Sequence, residues 1–140
     1  MRLLASIALL AAAPAVAATP AQGGRELDTL VTFNSPSRNI GCQLTDVRAR
    51  CDISKRDWSP PPKPSSCDGD FGQGLRVSRY GRRGRFMCAG DTALGGERVL
   101  ADGRSLRRGR LTCTSRQSGI TCRNRRGHGF RISRESYRIF

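Results

Sequence analysis

Six cysteines, one histidine, 23 arginines and 11 carboxylates are the side chains of this sequence that could do chemistry, and their spacing sorts the options. Cys42 and Cys51 are separated by eight residues, Cys113 and Cys122 by the same eight, and Cys67 and Cys88 lie between the two pairs. Thiols in that number either close disulfides or hold a metal. Zinc sites draw on C-x-x-C spacing and histidine co-ligands. No C-x-x-C is present and His128 stands alone, so disulfides are expected, and no metal or other cofactor is implied. His128, in Gly127-His128-Gly129-Phe130, is the one imidazole available for acid–base work. With Glu97 or Glu135 as base and an arginine on the phosphate, it could serve a small metal-independent ribonuclease, because transfer to a 2′-hydroxyl needs one proton removed and another delivered. The plainer reading is a glycine-flanked turn with an exposed or backbone-bonded imidazole. A nucleophile elbow, a phosphate loop, an H-E-x-x-H helix and an EF-hand loop are all absent from the sequence. A non-enzymatic protein is therefore the expectation, with the nuclease as the alternative. Asp91, in Gly90-Asp91-Thr92, could be a ligand carboxylate, but a turn in which it accepts bonds from nearby backbone N–H groups is expected.

Arginine is the other chemical resource. The net charge is +14, and it is unevenly placed: residues 18–70 carry seven basic and seven acidic side chains, residues 71–140 carry 17 and four. The excess falls in three groups, around Arg82, Arg83 and Arg85, then Arg107, Arg108 and Arg110, then Arg123, Arg125 and Arg126. These nine are the candidate anion-binding residues, since guanidinium forks suit phosphate and carboxylate. The candidate partners are an anionic envelope component, an acidic protein or nucleic acid. A solvated basic face without a specific ligand is the competing reading. Across the arginine-rich stretch from Arg76 to Arg138 the only aromatic residues are Tyr80, Phe86, Phe130 and Tyr137, which argues against a base-stacking platform.

These side chains must be positioned by a small domain. Met1-Arg2, an apolar run over 3–13, then Pro14 and Ala15-Val16-Ala17 follow the order of an export signal, with cleavage after Ala17 or Ala18. That leaves a flexible start over 18–28 and one domain over 29–140, secreted or periplasmic, without a spanning segment and expected to be a monomer. A retained membrane helix is the alternative. A chain of about 120 residues buries only about two-thirds of its unfolded surface. With 6% aromatic residues it needs covalent help, and an oxidising compartment supplies it.

Six cysteines allow 15 pairings, and an internal repeat narrows them. Arg38-Asn39-Ile40-Gly41-Cys42 and Gly109-Arg110-Leu111-Thr112-Cys113 each place an apolar residue two before the cysteine, on the same face of a strand. If each C-x8-C segment is a hairpin with its cysteines opposed, Leu44 faces Ala49 and Ser115 faces Ile120. Cys67 is then left for Cys88. Strands are expected over 29–33, 38–44, 48–53, 75–80, 84–89, 98–101, 110–115, 119–124 and 129–133, with glycine and aspartate between them. The fold class is all-β, a small disulfide-stapled antiparallel barrel or sandwich. Trp58-Ser59-Pro60-Pro61-Pro62-Lys63-Pro64 is expected as a stiff polyproline crossover anchored by Trp58 rather than as a recognition ligand.

The segments Ser35 to Cys42, Trp58 to Pro62, Cys88-Ala89-Gly90-Asp91-Thr92-Ala93-Leu94, Gly119 to Asn124 and Gly127 to Phe130 together resemble a family of small exported bacterial proteins of unknown function, mainly actinobacterial. The resemblance runs from about Thr32 to Phe140 and implies export and a cysteine framework, with no activity and no binding residue. Asp102 departs from it, where a bulky residue is implied. The reading that emerges is an exported binding or envelope-associated module whose basic half meets an anionic partner, with a structural envelope protein as a further alternative.

Overall fold

The computed structural model describes residues 11–17 and 30–140. The export signal over 1–17 lies largely, and the start over 18–28 entirely, outside the described residues. Ten strands form two antiparallel sheets: β1 Val31–Asn34, β2 Ile40–Leu44, β3 Arg48–Ile53, β4 Asp70–Ser78 and β5 Arg85–Ala89 in one, β6 Ser105–Arg108, β7 Leu111–Arg116, β8 Gly119–Asn124, β9 Gly129–Ile132 and β10 Tyr137–Ile139 in the other. Each sheet is a meander, ordered β1-β2-β3-β4-β5 and β10-β9-β8-β7-β6. The sheets pack face to face and do not close, so of the two architectures expected the sandwich is the one adopted and the barrel is not.

Alternation along the strands explains the packing. Cys42 and Leu44, Ala49 and Cys51, Leu75 and Val77 point inward from the first sheet, and Leu111, Cys113, Ile120, Cys122, Phe130 and Ile132 from the second, all buried. Both C-x8-C segments are hairpins: Cys42 opposes Cys51 with Leu44 on Ala49, and Cys113 opposes Cys122 with Ser115 on Ile120. The bridges are Cys42–Cys51, Cys67–Cys88 and Cys113–Cys122. The Cα atoms of each hairpin bridge are 4.1 Å apart, the close spacing of a non-hydrogen-bonded antiparallel pair. Between the sheets, the sulfurs of Cys51 and Cys122 lie 3.8 Å apart, so the two bridges stack at the centre of the core.

Three elements differ from the sequence expectation. β4 begins at Asp70, five residues early, because a bulge near Gly72 shifts the register between Phe71 and Leu75 and lets the strand continue. Residues 98–101 do not form a strand. Asn34 pairs with Val99 in a single parallel bridge, and Leu100 is buried, so this stretch carries the chain from one sheet to the other. β6 and β10 were not expected: β6 has Leu106 as its sole apolar residue, and β10 is a three-residue edge too short to show a period. The proline segment holds no strand. Trp58 anchors it, with its ring 4.8 Å from Tyr137 and its Nε1–H donating to the Ser133 carbonyl at 2.8 Å.

Closing loops with sequence separations of 9 and 21 constrains the unfolded chain by about 2.6 and 3.3 kcal/mol in the chain-entropy picture. Access to reductant differs more sharply than these values. Cys42, Cys51, Cys113 and Cys122 have no exposed surface, whereas Cys88 is exposed. Mild reductant applied to the folded protein should open Cys67–Cys88 alone, with the hairpin bridges opening only on unfolding. Alkylation followed by mass analysis reads this directly, and simultaneous opening of all three would contradict the buried stack.

Candidate anion-binding end of the sandwich

Antiparallel meanders send alternate turns to opposite ends, and the way the two sheets stack decides which turns meet. The turns at 45–47, 79–84, 109–110 and 125–128 all fall at one end. Asn124 ties them together. Its side chain is buried and its Nδ2 donates to the carbonyls of Ser78 at 3.1 Å and Gly81 at 2.8 Å, across the sheets. Its Oδ1 accepts from the backbone N–H groups of Arg126 and His128 at 3.0 and 3.2 Å, fixing the 125–128 turn. Tyr80 joins a third turn to these, with the guanidinium carbons of Arg79 and Arg110 at 5.2 and 5.3 Å from its ring centre. Asn124 was not among the residues singled out from sequence, although an asparagine opening a glycine-containing turn was a usable signal.

All nine candidate arginines sit at this end. Arg82 and Arg83 are in the β4–β5 turn and Arg85 opens β5; Arg107 and Arg108 close β6, and Arg110 follows in the next turn; Arg123 is the penultimate residue of β8, and Arg125 and Arg126 are in the turn after it. Four ion pairs occur among the described residues, and none uses any of the nine. Asp46, in the 45–47 turn, pairs with Arg79 at 3.4 Å. Folding therefore gathers three sequence groups into one cationic surface that has no carboxylate partner among the described residues.

The buried acid–base chemistry lies elsewhere, on the outer face of the first sheet. Asp52 has no exposed surface, and Arg50 grips it through Nε to Oδ1 at 3.1 Å and Nη2 to Oδ2 at 2.7 Å. The Ala93 backbone N–H donates to Oδ2 at 2.9 Å. Arg50 reaches onward to the Asp91 carboxylate and the Asp91 carbonyl, each at 2.8 Å. The Asp91 carboxylate keeps the local backbone N–H bond expected of it and also closes an ion pair 41 residues away in sequence, which was not expected. Glycine at 41 and 74 is what lets the clasp sit flat: a β-carbon at Gly41 would strike the Ala93 and Leu94 backbone, and one at Gly74 the Asp52 carboxylate. Burial acts to lower the Arg50 pKa, and the hydrogen bonds and charges of Asp52 and Asp91 outweigh it and leave it raised. The Arg50 hydrogen bond, then its charge, holds the Asp91 carboxyl below the ordinary carboxylate range.

His128 lies at the arginine end, and no hydrogen bond or ion pair joins it to either carboxylate considered with it. Glu135 is in the β9–β10 turn at the opposite end, and Glu97 is in the crossover beside Gly96, whose carbonyl accepts from the Asn34 amide. Among the described residues no cluster of three His, Cys, Asp or Glu side chains could hold a metal.

A family model described as a family of unknown function, DUF6636, matches residues 4–140. No curated protein and no solved structure matches the chain.

Breaking the clasp at its buried member should be costly. Arg50→Met leaves Asp52 buried without its partner and should lose about 3–5 kcal/mol in denaturant titration, whereas Asp91→Asn, at the exposed end, should lose far less. Asp91 has a depressed pKa in the folded state, so its contribution is present above the ordinary carboxylate value and fades as pH falls through the folded value. The wild-type and Asp91→Asn stability curves should accordingly differ at neutral pH and converge in acid; a gap that widens on acidification would show the sign to be wrong.

Proposed function

We propose that this chain, which belongs to the DUF6636 family of unknown function, is an exported, non-enzymatic binding module whose arginine end engages an anionic polymer or surface of the cell envelope. One observation carries the reading. Nine arginines spread over residues 82–126 converge on a single end, and none meets a carboxylate among the described residues. Guanidinium groups held in and beside three turns repel one another in the free protein, and an extended anion relieves that repulsion while releasing its own counterions. Export is supported by three disulfides, which persist outside a reducing cytoplasm, and by the signal-like order of residues 1–17. A bacterial, mainly actinobacterial origin is part of the same proposal, resting on the resemblance in the cysteine and proline motifs.

Binding to a short DNA duplex, used as a polyanion of known charge spacing, tests the surface. The log–log dependence of affinity on salt should have a slope near −0.9 per phosphate neutralised, roughly −5 for six contacts, and Arg125→Ala with Arg126→Ala should flatten it by about two. A flat response would remove the polyanion reading and leave the structural envelope protein, which should then co-fractionate with envelope material. RNA cleavage lost in His128→Ala would instead establish the nuclease. Mass analysis of the exported form should find it starting at Ala18 or Thr19, and an intact leader would defeat export.

A further inference from the structure

A second cationic feature adjoins the arginine end and shares Arg83 and Arg85 with it. On the outer face of the first sheet, cross-strand pairing sets Arg50 opposite Arg76 and Arg76 opposite Arg85, a row of three like charges over three strands. Like charges directly opposite one another oppose pairing. Arg50 is neutralised by Asp52 and Asp91. Arg76 is half-buried and makes no ion pair or hydrogen bond among the described residues, and burial, then the charges of Arg48 and Arg85, holds its pKa below the ordinary guanidinium value. On the adjacent strand the chain invests two carboxylates in one arginine; here it leaves another crowded and bare.

Arg76 borders an open groove. With Arg83 and Arg85 it lines a space of about 510 Å³ that passes around edge strand β5 from the outer face to the core side, where the remaining wall includes Phe71, Phe86, Ile139 and the Cys67–Cys88 bridge. The volume lies within the roughly 300–1,000 Å³ of small-molecule sites. The rings of Phe71 and Phe86 are 5.8 Å apart, and Phe86 is braced by Tyr137 at 4.9 Å, so the apolar wall is held in place before any ligand arrives. From this juxtaposition we infer that the groove beside β5 binds a free amphipathic organic anion, with a carboxylate, sulfonate or phosphate-ester head on Arg76 and Arg85 and an aromatic or alkyl body against Phe71 and Phe86. Charge complementarity selects the head, and the braced rings select the body. The size of the cavity selects a free small molecule over an embedded lipid.

The inference does not rest on the polyanion reading, and the test separates them. Anilinonaphthalene sulfonate, titrated by fluorescence and by calorimetry, should bind one-to-one. Inorganic sulfate and neutral naphthalene, carrying the head alone and the body alone, should each bind at least about tenfold more weakly. Arg76→Gln should weaken the dye about 10- to 100-fold, the range of a lost charge-assisted hydrogen bond, while the thermal midpoint of the free protein holds or rises because a like-charge contact is gone. Phe71→Ala should weaken the dye about tenfold and leave sulfate binding unchanged. Arg125→Ala with Arg126→Ala, which flattens the DNA salt slope, should leave dye affinity intact. Bound dye should also slow reduction of Cys67–Cys88, which lines the groove. Dye binding unaltered by Arg76→Gln, sulfate binding as tightly as the dye, or binding only to anionic vesicles would each overturn the inference.

Discussion

Four sulfur atoms at the centre of the sandwich, two from each sheet and in contact through Cys51 and Cys122, set the terms for the rest of the molecule. The sequence has few large aromatic side chains to fill the space between two five-stranded sheets, and Phe33 and Phe130 are the largest that are fully buried. Bridged cysteines fill the middle instead, and they do more than fill it. A one-residue slip in β2–β3 or β7–β8 would turn a cysteine to solvent and break its bridge, so covalent chemistry fixes register where weakly hydrophobic strands would specify it loosely. Fixed register in two hairpins places their turns, and through the meanders it places the turns of the flanking strands.

That is why the arginine end exists as a surface. Nothing in the local sequence links Arg82 with Arg107 or Arg125. They meet because β4, β6 and β8 all run towards the same end, and because Asn124 and Tyr80 hold the turns of one sheet against those of the other. The carboxylates are distributed in the opposite sense. Asp52 and Asp91 serve one buried arginine, Asp57 pairs with Arg134 away from the arginine end, and of the described carboxylates only Asp46 lies among the turns.

What could be read in advance follows the range of the interaction. The paired C-x8-C hairpins, their facing residues and the Cys67–Cys88 remainder were legible because spacing and alternation are local, as were most strands with two or more apolar residues on one face. β6 and β10 were not, since Leu106 alone marks one and three residues make the other. Leu100 misled because a buried residue in a crossover looks like a buried residue in a strand. The nine arginines were legible as a list, and their convergence was not, because stacking of the sheets decides it. The clasp was invisible for the same reason: Arg50 and Asp52 alternate onto an outward face, where a charged pair looks solvated. Only the passage of 90–94 over Gly41 and Gly74 buries it.

The contrast between Arg50 and Arg76 carries the synthesis further. They are register partners on adjacent strands and share one face of one sheet, so the backbone offers both the same surroundings. Selection for stability alone would treat them alike, either neutralising each with a carboxylate or replacing the second with an uncharged residue, since a half-buried cation between two others weakens the folded state. A chain that completes one arginine with two aspartates and leaves its neighbour crowded beside a braced apolar wall has assigned them different work. Charge neutralised inside the molecule holds the 90–94 segment in place. Charge left unneutralised, at Arg76 and again at the arginine end, is free energy that an anion from outside can recover on binding.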